Sequence, residues 1–201
     1  MSSGHEPLTR DNDAVTLRGP GGQSLALHPS RPRLLLLGEG AGIGPTLFIA
    51  ERARELVAPQ ASGFPSQMGP PMSQTQASLP QAMSQPAPWR PLVLLGSTGP
   101  PFPFRPRPSV IVVPGIPTGI IACMPLLEEW GIASRLASTL DLPGCFEGSA
   151  AALADAWLGS LTASELAEVE VFPNGPASMV RAVLELAGRY SVECQAPPMA
   201  G

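Results

Sequence analysis

The residues of this chain best suited to chemistry form a glycine-rich turn that directly follows an aliphatic run at residues 34–37. The turn consists of Gly38, Gly40, Gly42, Ile43, Gly44 and Pro45. A buried strand, a glycine turn and a helix N-terminus together form a cradle for phosphate. The helix-end amides carry partial positive charge, and the missing Cβ atoms let a pyrophosphate come close. A plain strand-to-helix turn is the other interpretation, because the spacing does not fit the three-glycine dinucleotide fingerprint.

A second strand-to-helix turn carries the same residue types. Asn174, Gly175 and Pro176 follow an apolar stretch at residues 168–172 and precede a helical pattern. Ligands of parallel sheets bind at the carboxyl ends of strands, where the strand order reverses. We therefore predict that the two turns contribute to one cofactor-binding site.

Glu39 lies inside the first turn and bears on whether phosphate is bound there. A carboxylate beside a pyrophosphate repels it unless the side chain faces solvent or pairs with a cation. A Glu39 that simply faces outward and a Glu39 with a function are both compatible with the sequence.

No catalytic residue and no metal site is predicted. Cys123, Cys145 and Cys194 are far apart and form no Cys-x-x-Cys pair, so we expect reduced, buried or half-buried thiols. His5 and His28 stand beside no cluster of cysteines or carboxylates, and we expect them on the surface.

Composition restricts the class of protein. The 201 residues are 44% hydrophobic, which is enough for one core of ordinary size. The net charge of -4 and the lack of a basic stripe argue against nucleic acid as a partner. No apolar run approaches the roughly 20 residues that span a bilayer, and no leader pattern is present. We expect a cytoplasmic protein without membrane contact, and the oligomeric state stays open.

Hydrophobic patterning predicts an α/β fold. Strands of about five residues alternate with helices of about twelve, which is typical of a doubly wound parallel sheet. The predicted strands cover residues 34–37, 91–95, 109–113, 132–137, 168–172 and 191–194. The predicted helices cover residues 45–57, 118–130, 148–158 and 176–188, and Pro125 is expected to interrupt or kink the second of them.

The chain divides into two parts with one insertion. Residues 1–30 form a polar N-terminal segment with a loose hairpin, and residues 31–201 form the α/β domain. Within that domain, residues 58–90 are rich in Pro, Gln, Ser and Met and nearly free of charge. Such a composition buries too little apolar surface to offset chain entropy, so we predict a disordered insertion.

These motifs resemble the nucleotide-binding domain of the ferredoxin–NADP reductase superfamily, most closely that of the dihydroorotate dehydrogenase electron-transfer subunit. The family's Gly-x-Gly-x-Gly-x-x-Pro loop is matched by Gly38, Gly40, Gly42 and Pro45. Its Cys-Gly-Pro-x-x-Met motif is similar to residues 174–179, with Asn174 in place of the cysteine. Its Asp-to-Phe-x-Gly segment is similar to Asp141, Phe146 and Gly148.

The resemblance implies NAD(P) at the two turns, with Asn174 near the nicotinamide, where it could hydrogen-bond the carboxamide. It also implies FAD and a [2Fe–2S] cluster, but their motifs are absent here. About thirty residues precede Leu34, too few for a flavin barrel, and the family's cluster ligands would begin where this sequence ends. The end of the second strand, at Gly96, has no acid for a ribose hydroxyl and no Arg for a 2′-phosphate, so NAD and NADP both stay open.

We therefore expect an electron-transfer-subunit-like oxidoreductase component, related to pyrimidine biosynthesis. Its implied partner is a flavoprotein, in the family the dihydroorotate dehydrogenase catalytic subunit. The alternative is a non-catalytic binding or scaffold protein that retains the reductase fold without its redox sites. The replaced cysteine and Glu39 favour this alternative, and the retained glycines count against it.

Overall fold

The computed structural model describes residues 26–57, 89–99 and 101–197. The predicted N-terminal hairpin and residues 58–88 of the predicted insertion lie outside the described residues. Arg90, assigned to the insertion from the sequence, is the first residue of a strand.

The central sheet has six strands, and each of its five strand pairings is parallel. The strands in chain order are β1 (Arg33–Glu39), β2 (Arg90–Ser97), β3 (Arg107–Pro108), β4 (Ala122–Cys123), β5 (Ala133–Ser138), β6 (Phe146–Glu147), β7 (Val169–Asn174) and β8 (Glu193–Cys194). The order across the sheet is β6-β5-β2-β1-β7-β8, and β3 pairs with β4 in a separate antiparallel ribbon. The predicted parallel α/β architecture is confirmed.

Helices cover both faces of this sheet. They are α1 (Ile43–Val57), α2 (Pro125–Glu129), α3 (Ala150–Leu158), α4 (Ala163–Leu166) and α5 (Ala177–Tyr190), and a single 3-10 turn (Gly40–Gly42) precedes α1. One core lies between the sheet and helices α3 and α5, and the other lies between the sheet and helices α1 and α2. Within the described residues, no helix is long and apolar enough to cross a membrane.

Strand β1 contributes to both cores. Leu35 and Leu37 face α3 and α5, whereas Leu34 and Leu36 face α1, and all four side chains are fully buried. Successive side chains of a strand point to opposite faces, so a strand covered on both sides must be apolar throughout. The aliphatic run therefore specifies the central strand of the sheet.

Two predicted elements are wrong. Residues 109–113 form no strand. This stretch is instead held to α2 by Glu128, whose carboxylate accepts hydrogen bonds from the Val110 amide at 2.7 Å and the Ser109 hydroxyl at 2.9 Å. The predicted helix at 118–130 shortens to α2, which begins at Pro125, because residues 122–123 pair with β3.

His28 attaches the first described residues to β7, the strand next to the edge strand β8. Its half-exposed ring places Nδ1 2.9 Å from a carboxylate oxygen of Glu170, a side chain only 1% exposed. The Gln195 side-chain amide donates to the same oxygen at 2.6 Å. This buried carboxylate is thus satisfied by groups from both ends of the described chain.

The central position of β1 leads to a prediction about stability. Leu36→Ala removes a fully buried side chain and leaves a cavity between β1 and α1. We expect the free energy of unfolding to fall by about 2–5 kcal/mol, measured by urea denaturation. Leu184→Ala, at a position that is 37% exposed on α5, is the matched control and should cost less than about 1 kcal/mol. Equal losses in the two variants would contradict the assignment of β1 as the core strand.

Candidate functional site

From β1 the chain adds β2, β5 and β6 on one side of this strand, and then β7 and β8 on the other side. The strand order therefore reverses between β1 and β7. The carboxyl ends of β1 and β7 therefore form a switch point, the usual ligand position in such sheets. Helix α1 begins after the first strand and α5 after the second. Both predicted turns lie at this switch point.

The two turns touch each other without room for a side chain. A Cβ built on Gly42 would lie 1.9 Å from the Asn174 carbonyl oxygen, far inside contact distance. A Cβ on Gly175 would lie 3.2 Å from the Glu39 carbonyl oxygen. Glycine is required at Gly42 because backbone packs directly against backbone there.

The start of α1 is fixed by a second set of contacts. Gly40 adopts a left-handed φ of +56°, which turns the chain out of β1 at little cost only for glycine. The fully buried Thr46 hydroxyl lies 2.8 Å from the Gly42 carbonyl and 3.1 Å from the Leu37 carbonyl, its two acceptor groups. Gly38 leaves the space that this hydroxyl occupies, since a Cβ there would lie 2.8 Å from it.

A cleft of about 430 Å³ opens at the ends of β1 and β2. This volume falls within the range of small-molecule sites. The lining residues are Glu39, Gly40, Ile43, Gly96, Ser97, Thr98, Pro101, Phe102, Pro103 and Pro176. The cleft thus combines an apolar wall, two hydroxyl groups, one carboxylate and the backbone of the glycine turn.

The predicted site residues take different positions relative to this cleft. Those that line it are Gly40, Ile43 and Pro176. Gly42, Asn174 and Gly175 do not line it and instead form the contact between the two turns, and Gly38 packs against Thr46 of α1. Gly44 is exposed, with nothing within 4 Å of a built Cβ, and Pro45 lines a separate apolar groove beside Phe48.

Glu39 does not face outward. Its side chain is only 6% exposed, and its Oε1 accepts a hydrogen bond from the Thr98 hydroxyl at 2.5 Å. The carboxylate thus reaches from β1 to the end of the neighbouring strand β2. The sequence left two arrangements open for this carboxylate, solvent exposure or a cation partner, and in the structure it is instead buried and accepts a hydrogen bond from the hydroxyl of the exposed residue Thr98.

The proline-rich segment after β2, to which the hydrophobic pattern assigns no helix or strand, forms one wall of the cleft. Phe102 is 8% exposed and packs on Phe104, with ring centroids 5.2 Å apart. Pro101 and Pro103 flank the buried ring and also line the cleft. The two phenylalanines between prolines were the sequence signal that this stretch is anchored to the core.

The electrostatics of the cleft are dominated by one negative charge. Among the described residues that line the cleft, Glu39 is the charged one, and none is a lysine or arginine. Any phosphate bound here would therefore depend on backbone amides and the N-terminal end of α1. The part of a ligand nearest Glu39 should be neutral or cationic and should carry hydrogen-bond donors.

The cysteines do not supply a redox centre. Cys123 lies on β4 of the separate antiparallel ribbon, and Cys194 lies on β8, an edge strand of the central sheet. Four thiolates are needed for a [2Fe–2S] cluster, so these residues do not fit one. In the described ranges, no group of three or more His, Cys, Asp or Glu side chains could hold a metal ion. Burial, with a smaller effect from Glu128, raises the pKa of Cys123 to about 11, and burial beside Glu193 raises that of Cys194 to about 11.

No protein-family model, curated protein or solved structure matches this chain. Evidence about its function therefore comes from its own sequence and from the geometry of the switch point.

The Gly42 contact leads to a prediction with a control in the same turn. Gly42→Ala forces the two turns apart, and we expect a loss of about 1–3 kcal/mol or more in the free energy of unfolding. Gly44→Ala meets no atom within 4 Å and lies in the first turn of α1, so it should be neutral or stabilising by up to about 1 kcal/mol. Urea denaturation of the two variants measures the difference, and a neutral Gly42→Ala would contradict the close packing.

The raised thiol pKa values predict low reactivity. A pKa near 11 instead of the ordinary 9.0 leaves about 100-fold less thiolate at pH 8. We expect iodoacetamide to modify Cys123 and Cys194 far more slowly in the native protein than in urea, as followed by mass spectrometry of peptides. Because the folded state resists ionisation, stability should also fall as the pH rises from about 9 towards 11. Equal alkylation rates in native and unfolded protein would contradict the burial of these thiols.

Proposed function

We propose that the protein is a nicotinamide-dinucleotide-binding component of an electron-transfer system, similar to the electron-transfer subunit of dihydroorotate dehydrogenase. The observation that carries this proposal is the contact between the two glycine turns at the switch point. Gly42 and Gly175 bring the start of α1 and the start of α5 to the same edge of the sheet. Motifs that resemble one family's cofactor loops thus lie where an α/β sheet holds its ligand.

Different residues at the switch point would bind different parts of the cofactor. Backbone groups from Gly40 to Ile43 would hold the pyrophosphate, because Gly40 lines the cleft and nothing lies within 4 Å of the position its Cβ would take. Asn174, half-buried at the end of β7, is the candidate partner of the nicotinamide carboxamide. The bound nicotinamide would supply hydride, and this chain would orient it towards a flavin held by a partner protein.

A non-catalytic binding or scaffold protein is the second candidate function. The burial of Glu39 favours it, because a carboxylate in a cleft whose described lining contains no cation opposes the entry of a phosphate group. In that case the same cleft would hold an uncharged or cationic group, and the fold would act as a docking module without redox chemistry.

Titration with dinucleotides tests the first proposal. We expect NADH or NADPH at millimolar concentration to raise the melting temperature, since ligand that binds only the folded state stabilises it. Gly40→Val should abolish this rise, because a branched side chain would block the approach to the turn. Absence of any shift in the wild-type protein with either dinucleotide would contradict the proposal and favour the scaffold.

Gly131→Val is the matched control for this experiment. Gly131 also has a left-handed φ, at +71°, and also has nothing within 4 Å of a built Cβ, but it lies after α2 and away from the switch point. The backbone strain should lower the stability of both variants, whereas only Gly40→Val should lose the ligand-induced shift.

A further inference from the structure

The side chain of Glu39 lies at the carboxyl end of β2, where the sequence of β2 itself has no acidic residue. Glu39 is the last residue of β1 and lies beside Gly96 of β2 in the strand register. Its Oε1 accepts the hydrogen bond from Thr98, and a Cβ built on Gly96 would lie 3.2 Å from its Oε2. An acid that belongs to β1 by sequence therefore sits at the carboxyl end of β2.

Gly96 makes this placement available. A side chain on Gly96 would meet Glu39 Oε2 at 3.2 Å and the Ala150 methyl group at 3.0 Å. The glycine thus leaves the space that the carboxylate fills beside the start of α3.

The end of β2 is where doubly wound folds distinguish two classes of nucleotide. A carboxylate there accepts hydrogen bonds from ribose hydroxyls, whereas an arginine accommodates a 2′-phosphate. Glu39 has two acceptor oxygens, and the Thr98 hydroxyl uses only part of their capacity. Since no described residue of the lining is a lysine or arginine, a phosphate placed here would meet the buried negative charge of Glu39 without a cation from that lining.

The size and lining of the whole cleft fit the nucleoside half of a dinucleotide. Its volume of about 430 Å³ suits one base and sugar, and the buried ring of Phe102 with Ile43 and Pro176 forms an apolar wall for a flat base. Gly40 of the glycine turn, the residue after Glu39, also lines the cleft, so a pyrophosphate attached to the bound nucleoside would reach the turn backbone.

We propose that Glu39 is a specificity-determining residue: it binds the free ribose hydroxyls of a nucleotide and rejects a ribose that carries a 2′-phosphate. The protein would therefore bind NADH in preference to NADPH. This inference rests on the dinucleotide binding proposed above and adds to it the class of ligand that the cleft accepts.

Parallel calorimetric titrations with NADH and with NADPH test this inference. We expect the wild-type protein to bind NADH about tenfold or more tightly than NADPH, a difference typical of a single charged contact. Glu39→Gln should reduce that ratio to near one, mainly by strengthening the binding of NADPH. Glu39→Asp keeps the negative charge and should still bind NADPH weakly. This variant also tests the role of the charge if Glu39→Gln does not fold.

Glu185→Gln is the matched control, because Glu185 is exposed on α5 and the variant removes the same unit of charge. Its ratio should equal that of the wild-type protein. If both dinucleotides bind but with equal affinity, or if Glu39→Gln leaves the ratio unchanged, the role of Glu39 is overturned while dinucleotide binding stands. If neither dinucleotide binds the wild-type protein, dinucleotide binding and the selectivity are both overturned.

Discussion

The burial of β1 on both faces is the constraint on which the rest of the structure depends. Its leucines supply both cores, so the strand cannot turn a polar side to solvent and must lie in the middle of the sheet. The first polar side chain after the leucines, Glu39, therefore emerges at the edge where the strand ends. That edge is also where strand order reverses, and the site follows from the position of this one strand.

The close approach of two turns then sets what the site can hold. Gly42 against the Asn174 carbonyl aligns the beginnings of α1 and α5, so that the turn backbone and Pro176 border one cleft. Beside this anion-favouring backbone lies the buried carboxylate of Glu39, and the part of the lining that the structure describes supplies no lysine or arginine to pair with it. The turn backbone favours an anion and the carboxylate opposes one. Both can contact the same nucleotide if its phosphate lies at the turn and its hydroxyl groups donate hydrogen bonds to Glu39.

Most of the fold could be predicted because its strands are short, aliphatic and separated by amphipathic helices. The two wrongly predicted elements lie between β2 and β5, and the short elements β6 and α4, after β5, were not predicted. Residues 109–113 have the composition of a buried strand, but Glu128 holds their amide and hydroxyl groups, leaving Val110 and Val112 more than four-fifths exposed. Hydrophobic pattern alone could not reveal this contact, because the partner lies on another element.

The sequence by itself determined the glycine spacing, the apolar strands and the two strand-to-helix turns, because local backbone preference and hydrophobic period act over a few residues. Only the tertiary structure decided that Gly42 meets Asn174 and that the side chain of Glu39 reaches Thr98, 59 residues further along the chain. Strand order and register create these contacts, and both are set by the packing of the whole sheet. Glu39 belongs to the glycine-rich turn by sequence, but the packing of the sheet places its carboxylate at the end of β2.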